Sequence, residues 1–236
     1  MIELLWNAPV SERRMAAYVE ALELPPGAEV LDVGCGCGEV LRRVCERYAA
    51  RGLGIDVSEP HVGEARRRAG EGDAAVRFEV ADADGSEVAA GSLDLVICLG
   101  ATHAFGLGPC AYENALRRIV PMLKSGGRLL VADGYLKRPA SAEYRTLLGD
   151  APAEGTTHEA NVAAGVAAGL TPLGAWTSST AEWDDFEWGY QRLVEAKAGV
   201  DAAAADRLAA RREWMAAYLR EGRATLGYGT YLFGKP

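Results

Sequence analysis

Short apolar runs alternate with amphipathic stretches through the first 180 residues of the chain. The runs Glu29–Val33, Gly52–Val57, Val76–Val80, Leu93–Leu99 and Arg128–Ala132 have the length and composition of strands in a covered parallel sheet. Between them apolar residues return with a helical period. Met15, Tyr18, Val19 and Leu22 form one stripe after the N-cap residue Ser11, and Pro25-Pro26-Gly27 stops it. Val40, Leu41, Val44, Cys45 and Tyr48 make a second stripe. Ser58, with Pro60 in the first turn, opens a third helix. Leu116, Ile119, Val120 and Leu123 stripe a fourth, which Ser125-Gly126-Gly127 ends. Strand and helix in strict alternation predict an α/β fold with a doubly wound, Rossmann-like sheet.

The pattern changes after the fifth strand. Thr156 and Glu159 have capping-box spacing before a helix carrying Val162, Val166 and Leu170. Leu173–Trp176 reads as a sixth strand and Thr225–Phe233 as a closing one. Residues 182–222 read as two amphipathic helices. Trp183, Phe186, Tyr190, Leu193 and Val194 mark the face of the first, and Leu208, Met215, Tyr218 and Leu219 that of the second. The Ala-rich run Asp201–Ala210 is helical in propensity. The expected organisation is one domain over residues 1–236, with 182–222 inserted before the last strand as a helical cap.

The chemistry concentrates where the first strand ends. Leu31-Asp32-Val33-Gly34-Cys35-Gly36-Cys37-Gly38 is a strand running into a turn with glycine at every second position, and a helix follows. In an open parallel sheet such a turn lies at the carboxyl end of the strand, where ligands bind. The spacing is G-x-G-x-G rather than the G-x-G-x-x-G of dinucleotide loops. Asp32 just before it would repel a pyrophosphate but suits a ligand bearing an ammonium and a sulfonium. Asp56 closes the second strand and can accept both hydroxyls of a ribose. Asp82 follows the third strand and is placed for an adenine amino group, with the Ala83 amide beside it.

Through VLDVGCGCGEV, GLGIDVSE, VRFEVADAD, SLDLVICLGATHAFG and LKSGGRLLVADGY, the chain resembles the class I S-adenosylmethionine-dependent methyltransferases over roughly Trp6 to Tyr135. The resemblance implies a seven-stranded sheet with an antiparallel last strand. It implies S-adenosyl-L-methionine as cofactor and S-adenosyl-L-homocysteine as product. Asp32, Gly34, Cys35, Gly36, Gly38, Asp56, Val57, Asp82, Ala83 and Leu99 are the expected cofactor contacts. WNAPVSERR is similar to the leading helix that covers the cofactor in small-molecule members. The Asn-Pro-Pro-Tyr signature of members that methylate bases or glutamine is absent after the fourth strand, where Gly100-Ala101-Thr102-His103-Ala104 stands.

Composition narrows the acceptor. A net charge of −8 offers nothing to steer the protein to a phosphate backbone, so no nucleic-acid partner is expected. No apolar run approaches the ~20 residues that span a bilayer, and the N-terminus lacks a signal-peptide pattern. Five scattered cysteines point to reduced thiols in the cytoplasm. Cys35 and Cys37 have no second Cys/His pair at zinc spacing, so no metal is expected. The expected acceptor is an O or N atom of a small-molecule metabolite, secondary metabolites included. The alternatives are a protein or RNA methyltransferase, or a non-catalytic cofactor-binding member of the fold. His103, about four residues past the fourth strand, is the leading candidate for a general base. His158, His61 and Asp133 rank behind it. Trp6, Tyr18, Trp188 and Arg223 are candidate acceptor contacts with His103. The sequence leaves the oligomeric state open.

Overall fold

Ser11 is extended and its hydroxyl accepts from the Arg14 amide, which fixes the start of helix α1 (Glu12–Glu20). Met15, Tyr18 and Val19 then turn inward together, as their spacing requires. The computed structural model describes residues 4–70, 75–85, 88–149, 152–197 and 202–236. Seven strands form its sheet: β1 (Glu29–Val33), β2 (Arg51–Asp56), β3 (Val76–Val80), β4 (Leu93–Leu99), β5 (Leu123–Leu136), β6 (Thr171–Thr177) and β7 (Leu226–Gly234). The helices after α1 are α2 (Glu39–Tyr48), α3 (Glu59–Ala69), α4 (Ala111–Ile119), α5 (Ala142–Leu148), α6 (His158–Ala167), α7 (Thr180–Lys197) and α8 (Ala202–Ala217).

The strand order is β3-β2-β1-β4-β5-β7-β6. β1 to β5 run parallel, and β7 lies antiparallel between β5 and β6. This is the seven-stranded sheet with an antiparallel last strand. On one face Met15, Leu41, Val62, Tyr144, Trp183 and Met215 bring α1, α2, α3, α5, α7 and α8 into one core with Leu95, Leu130 and Leu232. On the other, Leu116 and Ile119 of α4 join Val96, Val131, Tyr231 and Phe233. β1 has β2 on one side and β4 on the other, so strand order reverses beside β1 and opens a crevice at the carboxyl ends.

Several expected boundaries move. β2 stops at Asp56, and Val57 stands 72% exposed just beyond it. α4 ends at Ile119, because Pro121 in the next turn lacks the amide that another helical bond needs. Leu123 therefore begins β5. Ser125-Gly126-Gly127 lies inside that strand, at an irregularity where its register on β4 jumps from Leu93↔Leu123 to Leu95↔Arg128. β5 runs on to Leu136 because β7 extends the ladder to Leu136↔Leu226. α5 has no counterpart in the sequence reading; its seven residues bury only Tyr144, too little to show a stripe.

The cap of α6 is Thr157, whose hydroxyl accepts from the Ala160 amide, because the Thr156 carbonyl is held by the Leu136 amide. α6 buries Asn161 and Gly165 rather than Val162 and Val166. A Cβ on Gly165 would stand 2.3 Å from Phe233, so only a small residue fits where the helix presses on β7. In the cap, α7 buries Trp183, Glu187, Gly189 and Gln191, while Tyr190 is 43% exposed beneath the Arg211 guanidinium. Past α8 a widened π turn (Tyr218–Gly222) breaks the 3.6-residue period and turns Leu219 outward. Residues 198–201 of the expected cap, including Asp201 at the head of the Ala-rich run, lie outside the described residues.

Candidate active site

The loop after β1 is shaped by two left-handed glycines that meet neighbours. Gly34 has φ +68°, and a Cβ on it would stand 2.3 Å from the Cβ of Ala101 at the exit of β4. Gly38 has φ +77°, and a Cβ there would meet the Phe78 ring at 2.5 Å. Both positions demand glycine for conformation and for space. Nothing stands within 4 Å of a Cβ built on Gly36, so the loop is open between these two close approaches. Asp56 pins the open part. Its Oδ2 accepts from the Gly36 amide at 2.9 Å and its Oδ1 from the Ser58 amide at 2.9 Å. Each carboxylate oxygen retains a lone pair for a ligand hydroxyl.

Asp32 lies beneath this loop, 4% exposed, and among the described residues no donor hydrogen-bonds its carboxylate. Burial, reinforced by the charge of Asp56, pushes its pKa up to about 8. A buried carboxylate without a partner is unfavourable until a cation or donor reaches it. The same surroundings push the Cys35 thiol up, which keeps it protonated and inert. The donor set, acidic and oxygen-rich around an open glycine loop, fits a ligand with an ammonium, a sulfonium and ribose hydroxyls.

The remaining expected cofactor residues line the same strand ends. Leu99 closes β4, half-buried. Asp82 is exposed beyond β3, with its Oδ1 accepting from the Asp84 amide at 3.0 Å, and Ala83 is buried. His103 is exposed on the short helical turn Thr102–Phe105 that follows β4. Its charge reaches Asp133, whose carboxylate accepts from the Thr102 hydroxyl and from the Gly134 amide at 2.6 Å. Burial raises the pKa of Asp133.

The candidate acceptor contacts separate. The Trp6 indole N–H donates to the Val10 carbonyl at 2.8 Å, and the Arg43 guanidinium lies 5.3 Å from its ring centroid. Asn7 follows, its carbonyl 4.0 Å from the point a Cβ on Gly100 would occupy. Residues 4–10 thus run past the β4 exit. Tyr18 is a core residue, 1% exposed with its ring 4.9 Å from that of Trp176, so it does not form a pocket wall. Arg223 donates to Asp184 through bonds of 2.9 and 2.8 Å. Trp188 is 42% exposed on α7. His158 Nδ1 lies 3.2 Å from the Tyr231 hydroxyl between α6 and β7, with its pKa lowered by burial. His61 is exposed in the first turn of α3. Among the described residues no group of His, Cys, Asp and Glu could hold a metal ion.

Sequence reasoning passed over Thr102, whose bond to Asp133 depends on where the turn after β4 meets β5.

A doubly wound sheet with an antiparallel seventh strand, a glycine loop at the switch point and acids at successive strand ends defines a nucleoside-binding α/β protein. Known proteins narrow it. Residues 30–127 match the family model described as a methyltransferase domain. The chain is 31% identical over 143 residues to the uncharacterized protein YjhP of Escherichia coli (strain K12), covering 60% of this chain and 56% of that protein. It is 34% identical over 124 residues to phosphoethanolamine N-methyltransferase 1 of Triticum aestivum, covering 52% of this chain and 24% of that protein. In these matches the chain spans a little over half the length of the first relative and about a quarter of the second. In structure it resembles a SAM-dependent methyltransferase from Geobacter sulfurreducens in complex with S-adenosyl-L-homocysteine, with TM-score 0.84, 25% identity and coverage of 98% and 94% of the two chains. The X-ray structure of YjhP gives TM-score 0.83 and 27% identity, covering 100% of this chain and 97% of that one. Residues 30–127 thus carry a methyltransferase domain, and the fold is that of the class I S-adenosylmethionine-dependent methyltransferases.

Proposed function

We propose that this protein transfers the methyl group of S-adenosylmethionine to an O or N atom of a small molecule. The observation that carries the reading is Asp32, a buried carboxylate without a donor, beneath an open glycine loop at the switch point of the sheet. When bound, the cofactor supplies a methyl carbon already activated by its sulfonium. The chain's part is to hold that carbon against the acceptor, and such alignment is worth about 7–11 kcal/mol. Asp56 binds the ribose, Asp32 faces the cationic end, and Asp82 with the Ala83 amide meets the adenine. His103 takes the acceptor's proton where the acceptor carries one at neutral pH.

Three features favour a small acceptor. The acidic balance disfavours RNA, residues 4–10 run past the β4 exit, and the wheat relative is named for methylating phosphoethanolamine. Five free thiols favour the cytoplasm, and among the described residues no helix is long and apolar enough to cross a membrane.

The test is a thermal melt followed by a turnover assay. Adenosylhomocysteine should raise the melting temperature and NAD should not. Asp56→Ala should abolish most of that shift, because it removes both the loop pin and the ribose acceptor. A protein indifferent to adenosylhomocysteine sinks the reading. With an acceptor found by screening for adenosylhomocysteine release, His103→Ala should lower kcat and leave cofactor affinity unchanged.

A further inference from the structure

We propose that β6, the edge strand of the sheet, and α6 beside it are an interface at which two copies of this chain pair about a two-fold axis.

The surface there carries no charge. Charged residues make up 25% of the chain, yet from Ala160 to Ala181 there is no Asp, Glu, Lys, Arg or His. That stretch holds most of α6, all of β6 and the turns that flank the strand. It is not core, because only Asn161, Gly165 and Leu170 within it are buried. Val166 of α6 is 52% exposed and Leu173 of β6 is 50% exposed. Ala160, Ala163, Ala167 and Ala175 are exposed beside them. Solvent-facing helices and edge strands ordinarily carry charge. A face with apolar residues and no charge is one that a partner covers.

The strand also has an open ladder. Among the described residues β6 is the last strand in the sheet order and pairs with β7 alone. The Ser178 amide donates to the Tyr228 carbonyl at 2.9 Å. Antiparallel bonding alternates along a strand. Trp176 and Gly174 therefore also face β7, while the amides and carbonyls of Ala175 and Thr177 point away from the sheet. Natural edges are blunted by charge, by proline or by bulges. Pro172 and the register shift between Pro172 and Gly174 blunt the first half of β6. From Gly174 to Thr177 none of these devices is present, and Ala175 and Thr177 are both exposed.

A second copy covers strand and helix together. Antiparallel pairing centred on Trp176 sets Ala175 of one copy opposite Thr177 of the other, where the two exchange main-chain bonds. The sheet then continues across the axis, and both copies of α6 lie on one face. α6 packs on β6 and β7, with Gly165 pressed against Phe233. Strands lie about 4.8 Å apart, so two helices seated in this way come about 10 Å apart, the distance at which helices pack. A lone extended peptide would cover the strand and leave α6 bare. Charge selects the same partner. Each copy bears a net charge of −8, so two of them repel wherever acidic faces meet. The uncharged face is where they can approach. Its length also matches the roughly 20–30 residues that each side gives to an interface of standard size.

The test is the state of the full chain in solution, read under reducing conditions so that the exposed Cys110 cannot link copies. Sedimentation equilibrium at micromolar concentration should return twice the chain mass of 25.0 kDa. Val166→Lys combined with Leu173→Lys puts charge at two exposed positions and should weaken dimerisation at least tenfold. Ala175→Pro removes an outward amide that the monomer does not use, and should do the same. Both variants should keep the wild-type circular dichroism spectrum, and the lysine variant decides by itself if Ala175→Pro fails to fold. Hydrogen exchange locates the contact. The Ala175 and Thr177 amides should be protected in the wild-type protein at high concentration and lose that protection on dilution and in the lysine variant. A wild-type monomer at these concentrations overturns the proposal. So does a dimer that the lysine variant keeps at full strength, or one whose Ala175 and Thr177 amides exchange as fast as in the monomer.

Discussion

Asp32 sets the energetics of the cofactor site. Its carboxyl holds a proton to about pH 8 in the folded chain, against an ordinary value of 3.8. Below the ordinary value both states are protonated and the residue is neutral in the balance. Between the two values the unfolded chain loses its proton and the folded chain keeps it, so stability falls as pH rises. Above about 8 the loss is complete, on the order of a few kcal/mol at ~1.4 kcal/mol per unit. We therefore expect the melting temperature of the unliganded protein to carry a downward component from pH 5 to pH 8, and Asp32→Asn to remove most of it. Adenosylhomocysteine, through its ammonium, should restore more stability at pH 8 than at pH 5. Melts at three pH values read this, and an unchanged profile in Asp32→Asn would refute the assignment. Asp32 and Asp56 were legible in the sequence because their positions relative to the glycines carry chemistry. Thr102 was not, because its meaning depends on the Asp133 carboxylate that β5 brings to its hydroxyl.

At the scale of elements, β1, β3 and β4 have the limits their apolar runs predict, since burial in a parallel sheet leaves a direct compositional mark. The cap was read less well. Its apolar periodicity put Tyr190 inside, yet α7 turns Glu187 inward, 2% exposed. Arg211 of α8 donates to Glu187 at 2.5 Å, and the Trp214 indole N–H does so at 2.9 Å. A period count treats glutamate and arginine as surface residues and cannot see that they neutralise one another. Removing one partner strands the other, so Arg211→Ala should cost about 3–5 kcal/mol in urea unfolding. Replacing both, Arg211→Met with Glu187→Leu, should recover most of that loss. A single variant within 1 kcal/mol of wild type, taking ~1 kcal/mol as an ordinary substitution effect, would show that the pair does not hold the two helices together.

Across the whole molecule one carboxylate ties the N-terminal segment to the cap. Glu182 Oε2 accepts from the Ser179 amide and hydroxyl, both at 2.9 Å, while the Glu182 amide donates back to Ser179 Oγ at 3.2 Å. This is a capping box at the head of α7. The other oxygen, Oε1, accepts from the Ser11 amide at 3.0 Å and the Ser11 hydroxyl at 2.7 Å, at the head of α1. Ser11 and Glu182 are 171 residues apart, and through them two helix starts share one side chain. Upstream of Ser11, Trp6 lies under Arg43 of α2, and Leu4 comes within 3.3 Å of the point a Cβ on Gly189 would occupy. The segment beside the β4 exit is thus anchored at α2, at α7 and at Glu182. The four bonds hold the Glu182 carboxyl down to about pH 2. Because that value lies below the ordinary 4.5, its contribution is present above pH 4.5 and disappears as pH falls toward 2. This acid window, from 4.5 down to about 2, meets that of Asp32, from 3.8 up to about 8, only between 3.8 and 4.5, so the two can be separated in one titration. Glu182→Ala should destabilise the protein by about 2–3 kcal/mol at pH 7, as charge-assisted hydrogen bonds are lost. It should also raise amide exchange over residues 4–20 more than in β1 or β4, and weaken adenosylhomocysteine binding. If exchange over residues 4–20 matches wild type in Glu182→Ala, the segment is held by its apolar contacts with α2 and α7 alone, and Glu182 serves only to cap α7.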